Sequence, residues 1–144
     1  MHVSSPVSPR ELAVALAGLW RRMAGGGENA AFALIAELGL SFTQVKTLYM
    51  LDGCTESIPV GELSSRLGIS APAASRTVDG LLRKGWLERR EDEQDRRMKR
   101  IRLTPAGHDV ARRIADARMH GLEAFAASLS DEQRTRLRDA LADI

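Results

Sequence analysis

The hydrophobic period of this 144-residue chain changes at Gly85, and that change limits the folds open to it. Upstream, apolar residues recur at helical spacing. Downstream, Trp86 to Arg90 and Lys99-Arg100-Ile101-Arg102-Leu103 read as strands, the second alternating polar and apolar. Glu91 to Met98 forms a charged turn between them, so the segment predicts a β-hairpin of two short strands. Thr104-Pro105 restarts a helix that carries Val110, Ile114, Ala117, Leu122 and Phe125 to about Ser128. The expected class is therefore mostly α with a small β-hairpin.

Capping chemistry marks the other helices. Ser8-Pro9-Arg10-Glu11 is a capping box with proline at the first helical position, followed by Leu12, Leu16, Leu19, Trp20 and Met23 on one face of a helix from about 9 to 24. Gly25-Gly26-Gly27 ends it as a breaker; a phosphate loop would need a Gly-Lys-Ser/Thr ending that is missing here. A shorter apolar helix is expected from Glu28 to Leu38. Ser41 and Gln44 cap the next, with Leu40 stapled onto Val45, and Val45, Leu48 and Tyr49 facing inward to about Leu51. Pro59 opens a short helix, Val60 to Leu67, ended by Gly68. Ser70 caps its successor, which keeps Ala74, Val78, Leu81 and Leu82 on one stripe up to the basic last turn Arg83-Lys84-Gly85. Ser130 with Gln133 caps a last helix bearing Leu137, Leu141 and Ile144.

A single cysteine, Cys54, excludes an internal disulfide and the Cys-rich zinc scaffolds, and suits a reducing cytosol. Neither staple is needed, because a chain of this size buries roughly 68–70% of its unfolded surface. Leu12 to Trp20 is the one run that could pass for a targeting signal. It is too short to span a membrane, and Arg21 and Arg22 follow it where a cleavage site would stand. A cytoplasmic protein with no membrane partner is expected.

The net charge is only +2, yet residues 60–104 hold 11 Arg and Lys against 7 Asp and Glu, while the rest of the chain holds 10 against 12. A solvated, salt-bridged face and a polyanion surface both fit that imbalance. The order of elements favours the second. Two short helices joined by Gly68-Ile69-Ser70, followed at once by a basic hairpin, form the arrangement of a winged helix-turn-helix, in which one helix enters the major groove and the hairpin reaches an adjacent groove. With Ala74, Val78, Leu81 and Leu82 in the core, Pro72, Ala73, Arg76, Asp79, Gly80 and Arg83 face outward and Ser75 lies on the flank. Small groups at the start permit close approach, and Arg76 is the best candidate for a base contact. In the hairpin, Arg89, Arg90, Arg96, Arg97, Lys99, Arg100 and Arg102 surround Glu91-Asp92-Glu93 and Asp95. Such carboxylates hold guanidinium groups against their mutual repulsion, and Asp95 is the expected partner.

Leu81-Leu82-Arg83-Lys84-Gly85-Trp86-Leu87-Glu88-Arg89, then Asp95-Arg96-Arg97, then Ile101-Arg102-Leu103-Thr104-Pro105-Ala106-Gly107 resemble the signature of the MarR (multiple antibiotic resistance regulator) family. The likeness runs from about Leu40 to Gly107, with looser agreement in the flanking helices. It implies a homodimeric bacterial transcription factor, most often a repressor, on a pseudo-palindromic site in double-stranded DNA. It also implies a winged helix-turn-helix lobe at 40–104, a helical dimerisation region at 8–38 and 105–144, and a small-molecule effector bound between these regions. By the family's D-x-R wing pattern, Asp95 and Arg97 match a structural acid and a minor-groove arginine, with Arg96 a neighbouring phosphate contact and Lys99 counted beside them. Ser70, Pro72, Ala73, Ser75 and Arg76 fall where the recognition helix meets DNA. No cofactor or metal is implied. The Gly25-Gly26-Gly27 break departs from the family pattern. By analogy, a pocket lined by Trp20 and Tyr49 would suit a small aromatic acid.

Three rival readings remain open. Catalysis has nowhere obvious to sit: His2, His108 and His120 are isolated, expected to be solvated, and no nucleophile elbow or paired carboxylate motif is present. A dimeric interaction module without DNA binding would carry a neutral wing. Redox sensing through Cys54 would need a cationic neighbour to lower the thiol pKa, and no basic residue stands beside it in sequence.

Overall fold

Seven helices and a three-stranded sheet make up the described residues, 6–24 and 29–144, of the computed structural model. In chain order they are α1 (Pro9–Ala24), α2 (Asn29–Glu37), α3 (Phe42–Asp52), β1 (Ile58–Pro59), α4 (Val60–Leu67), α5 (Ala71–Arg83), β2 (Leu87–Glu91), β3 (Lys99–Leu103), α6 (Pro105–Ala127) and α7 (Asp131–Ala142). The Gly25-Gly26-Gly27 break, the expected helix start at Glu28, and His2 lie outside the described residues. Two compact units are present: Leu34–Asp116, and Met1–Ala33 with Ala117–Ile144.

The predicted caps form. Ser41 and Ser130 each accept a bond from the backbone of the glutamine three residues on, Gln44 and Gln133, and those glutamine side chains accept in return from the cap backbone. Ser8 and Glu11 close the same reciprocal pair, which holds the Glu11 carboxyl below its usual range.

In the Leu34–Asp116 unit the core gathers Leu48, Leu63, Leu81, Ile101 and Ile114, all fully buried, together with Leu51, Val78, Leu87 and Val110. Helices α3, α4 and α5 pack on one sheet, with the first turns of α6 closing the cluster. The expected hairpin forms as β2 and β3, and the sheet adds to it. Strand β1 is a third member, antiparallel to β3 with Ile58 opposite Ile101 and Pro59 opposite Arg100, so the order is β1-β3-β2. A two-residue strand half made of proline leaves no alternation to read. Strand β2 starts at Leu87, one residue later than expected, because Gly85 takes a φ of 75° and Trp86 still completes the turn after α5.

Thr104 ties the sheet to α6. Its hydroxyl donates to Gly85 O at 2.7 Å and accepts from Gly107 N at 3.1 Å, while its own N–H donates to Trp86 O at 3.1 Å. Gly107 is buried there, so close that a Cβ would stand 2.1 Å from Trp86 O.

Two inward assignments also change. Gly80, expected outside, is buried against α3, where a Cβ would meet Gln44 Nε2 at 2.6 Å; Leu82, expected in the core, is half-buried. Thr77 is buried instead, its hydroxyl donating to Ala73 O at 2.9 Å.

The unit built from α1, α7 and the far end of α6 leaves apolar surface open. Leu12, Val14, Leu16, Trp20, Met119 and Leu141 are all more than half exposed. Leu19, Phe125, Leu129 and Leu137 line a groove of about 690 Å³ with Arg22 and Arg136 at its margin.

Candidate nucleic-acid interface

Helix α4 ends at Gly68, whose left-handed backbone (φ 63°) lets its N–H cap Ser64 O and Ser65 O. Ser64 Oγ donates to Ile69 O at 2.6 Å across the turn. Ser70 then starts α5, accepting from Ala73 N at 3.2 Å, and Pro72 sits in the first turn, where its missing N–H has no helical acceptor to lose. Ser70, Pro72, Ser75 and Arg76 are exposed and Ala73 is half-buried. Among the described residues Arg76 has no carboxylate within ion-pair distance. It borders a shallow cavity of about 360 Å³ shared with Ser41, Thr43 and Ala73.

The wing is a lattice of ion pairs. Arg89 reaches Asp79 of α5 at 3.4 Å, Arg90 reaches Glu88 at 3.4 Å, Lys99 bonds Glu91 at 2.8 Å, and Arg102 pairs with Glu88. Arg100 pairs with Asp92 at 3.3 Å. Lys99, counted among the DNA-contact candidates, is thus already engaged across the hairpin. Arg97 is almost wholly exposed and only loosely approached by the Asp95 carboxylate, at 3.8 Å; Arg96 has no carboxylate partner among the described residues.

Asp95 accepts from Arg97 N at 3.0 Å through its side chain, and its carbonyl accepts from Met98 N at 2.9 Å. A second acid, Asp92, which nothing in the sequence pattern singles out, also holds the turn. Its Oδ1 accepts from Gln94 N at 2.8 Å and Asp95 N at 3.2 Å, and its own N–H donates to Met98 O at 3.0 Å. Those backbone bonds, and then the Arg100 guanidinium, hold the Asp92 carboxyl below the usual aspartate value. A lowered folded-state pKa means that Asp92 stabilises the turn fully above the unfolded value, and that this is lost as pH falls from there through the folded value. A carbon-13 NMR titration of the Asp92 carboxyl is expected to show a midpoint below 3.8. A midpoint at or above 3.8 would contradict this geometry.

Two expectations about chemistry outside the wing change. His108 is hydrogen-bonded rather than merely solvated: its Nδ1 lies 2.7 Å from Asp52 Oδ1. Cys54 does have a cationic neighbour, Arg66, whose guanidinium lies 3.9 Å from Sγ, although Arg66 is also paired with Glu62 and its pKa is raised chiefly by that carboxylate. Among the described residues no group of three or more His, Cys, Asp or Glu is placed to hold a metal, and no helix is long and apolar enough to cross a membrane. Trp20 is exposed on α1 and Tyr49 half-buried on α3.

A family model described as the MarR family matches residues 38–98, from the end of α2 through the wing turn. The chain is also similar to the transcriptional repressor MprA of Escherichia coli, 37% identical over 81 residues, which is 56% of this chain and 46% of that protein. Residues 38–98 of this chain are thus similar to the MarR family. The multiple antibiotic resistance protein MarR of Salmonella typhimurium is 36% identical over 73 residues, 51% of this chain and 50% of that protein, so this chain spans about half the length of the curated relatives it matches. Among solved structures, RV1404 from Mycobacterium tuberculosis has a TM-score of 0.82 at 22% identity, covering 98% of this chain and 94% of that one. A Staphylococcus aureus MepR mutant bound to oligodeoxyribonucleotide has a TM-score of 0.72 at 22% identity, covering 89% and 94%. These neighbours share the winged helix fold of this chain.

Proposed function

We propose that this chain is a sequence-specific, double-stranded DNA-binding transcriptional regulator, a repressor that works as a homodimer on a pseudo-palindromic operator. The observation that carries the reading is the pattern of free and loosely held cations among the described residues: the wing neutralises most of its own arginines and leaves Arg96 without a carboxylate and Arg97 only loosely paired at its tip, while α5 presents Arg76 behind a start made of small residues. In this reading Ser70, Pro72, Ala73, Ser75 and Arg76 face the major groove, Arg96, Arg97 and Lys99 face the backbone and minor groove, and Asp95 orders the wing. The relatives named repressors support the sign of regulation. A small-molecule effector is proposed by analogy with MepR, of which an ethidium-bound structure is known.

Selection of bound duplexes from a random-sequence DNA pool is expected to return a two-fold symmetric site. Enrichment of no sequence would defeat specific binding. Residues 8–38 and 105–144 are proposed as the dimerisation region, since Leu12, Leu16, Trp20 and Leu141 lie open on it. Sedimentation at micromolar concentration is expected to give a dimer; a monomer that still binds the selected duplex would refute the symmetric arrangement.

The second reading, a dimeric interaction module without DNA binding, is favoured by the heavy internal pairing of the wing. A salt titration separates the two, because phosphate contacts make affinity fall steeply with salt. Cys54→Ser is expected to bind the selected duplex as wild type does, since the thiol donates to Met50 O at 3.3 Å and Arg66 is shared with Glu62. Peroxide that abolishes binding in wild type but not in the variant would restore the thiol-switch reading.

A further inference from the structure

Strand β1 is only two residues long, and one of them, Pro59, has no N–H to give to β3. Its attachment is completed by a side chain. Arg100, opposite Pro59 in the register, donates from Nε to Ser57 Oγ at 3.0 Å and from a terminal nitrogen to Ser57 O. Its other terminal nitrogen donates to Asp92 Oδ2 at 3.3 Å. The planar guanidinium therefore bridges the sheet edge and the wing turn, a span suited to its fixed fork of donors.

Asp92 is the least exposed carboxylate among the wing's ion pairs, its side chain 17% exposed against 54% for Asp95. Its second oxygen holds the backbone of Gln94 and Asp95, and Asp95 in turn holds the backbone of Arg97. One continuous chain of bonds thus runs from Ser57 through Arg100, Asp92 and Asp95 to Arg97.

We propose that Arg100 is a positioning residue of the wing: it anchors the turn through Asp92 to the edge strand β1, and so fixes where Arg96 and Arg97 are presented, without contacting DNA itself. This rests on the DNA-binding reading above. It predicts that Arg100 acts only through the wing tip, which distinguishes it from one more positive charge near a polyanion.

The test is a double-mutant cycle on the full chain, using the duplex that wild type selects from the random pool and amide hydrogen exchange without DNA. Arg100→Leu and Arg97→Ala are each expected to weaken binding about tenfold, and the double variant to lose clearly less than the two single losses combined, the remainder being the misplaced Arg96. Arg100→Lys keeps the charge but not the fork, and is expected to behave like Arg100→Leu. Exchange at Gln94, Asp95 and Arg97 amides is expected to quicken in Arg100→Leu while core amides such as Leu81 keep their protection. If Arg100→Leu does not fold, Asp92→Ala takes its place in both arms. Additive losses, wild-type binding by Arg100→Lys, or unchanged exchange at the turn would each overturn the proposal. Wild type that binds no duplex would instead remove the DNA-binding reading, and the exchange arm alone would then decide whether the anchor exists.

Discussion

Gly107→Ala is expected to cost this protein about 3 kcal/mol or more in stability, although alanine is the better helix former by about 1 kcal/mol. The two effects oppose each other, which makes the sign informative. Gly107 lies in the first turn of α6, and a Cβ there would stand 2.1 Å from Trp86 O and 3.0 Å from its carbonyl carbon. These are backbone atoms that no rotamer change can move. That carbonyl also accepts from Thr104 N, so displacing it strains the junction joining α5, the sheet and α6. Gly80→Ala is the control. The atom its Cβ would meet at 2.6 Å is the end of the Gln44 side chain, which can swing aside at the cost of one reciprocal cap bond. Its cost is expected to stay within about 1 kcal/mol. Urea unfolding of both variants decides the matter, and a Gly107→Ala protein as stable as wild type would refute the close approach.

Arg76→Ala and Arg97→Ala are expected to differ in kind. Arg76 projects unpaired from the first turns of α5, where a bidentate contact to guanine would tie it to one base pair. Its loss is expected to cost about 1–3 kcal/mol on the selected duplex and to relax the preference at one or two positions. Arg97, exposed on the wing tip, is expected to act on phosphate or groove width, so its loss weakens all duplexes alike and flattens the salt dependence by about one unit of slope. Binding isotherms on selected and scrambled duplexes at several salt concentrations separate the two. Unchanged affinity and slope in both variants, with the fold intact, would move the helix and hairpin off the DNA surface and favour the interaction module.

What was legible in the sequence was local. The caps at Ser8, Ser41, Ser70 and Ser130, and the stop at Gly68, depend on residues three or four apart, and the helices they bound follow. Strand β3 was legible because its alternation survives intact. What escaped depends on partners distant in the chain. Nothing near Pro59 announces a strand whose partner is Arg100, and Gly80 looked outward because only the folded position of Gln44 covers it. The same applies to Cys54 with Arg66, twelve residues apart, and to His108 with Asp52, fifty-six apart. In the wing, sequence pattern singles out Asp95, which does bond the backbone of Arg97, but not Asp92, which bonds the backbone of Gln94 and Asp95; both lie among four carboxylates, and only the folded backbone tells their contacts apart.

The ion-pair lattice of the wing bears on how such a protein would find a site in a chromosome. A hairpin with seven unpaired cations would adhere to any stretch of duplex and be held there by the vast excess of irrelevant sequence. Here Arg89, Arg90, Lys99, Arg100 and Arg102 already have carboxylates, so each wing displaces few condensed ions when it lands. Under the DNA-binding reading proposed above, weak adhesion to bulk DNA would leave more of the protein free to search, and a small number of copies would then suffice to keep one operator occupied.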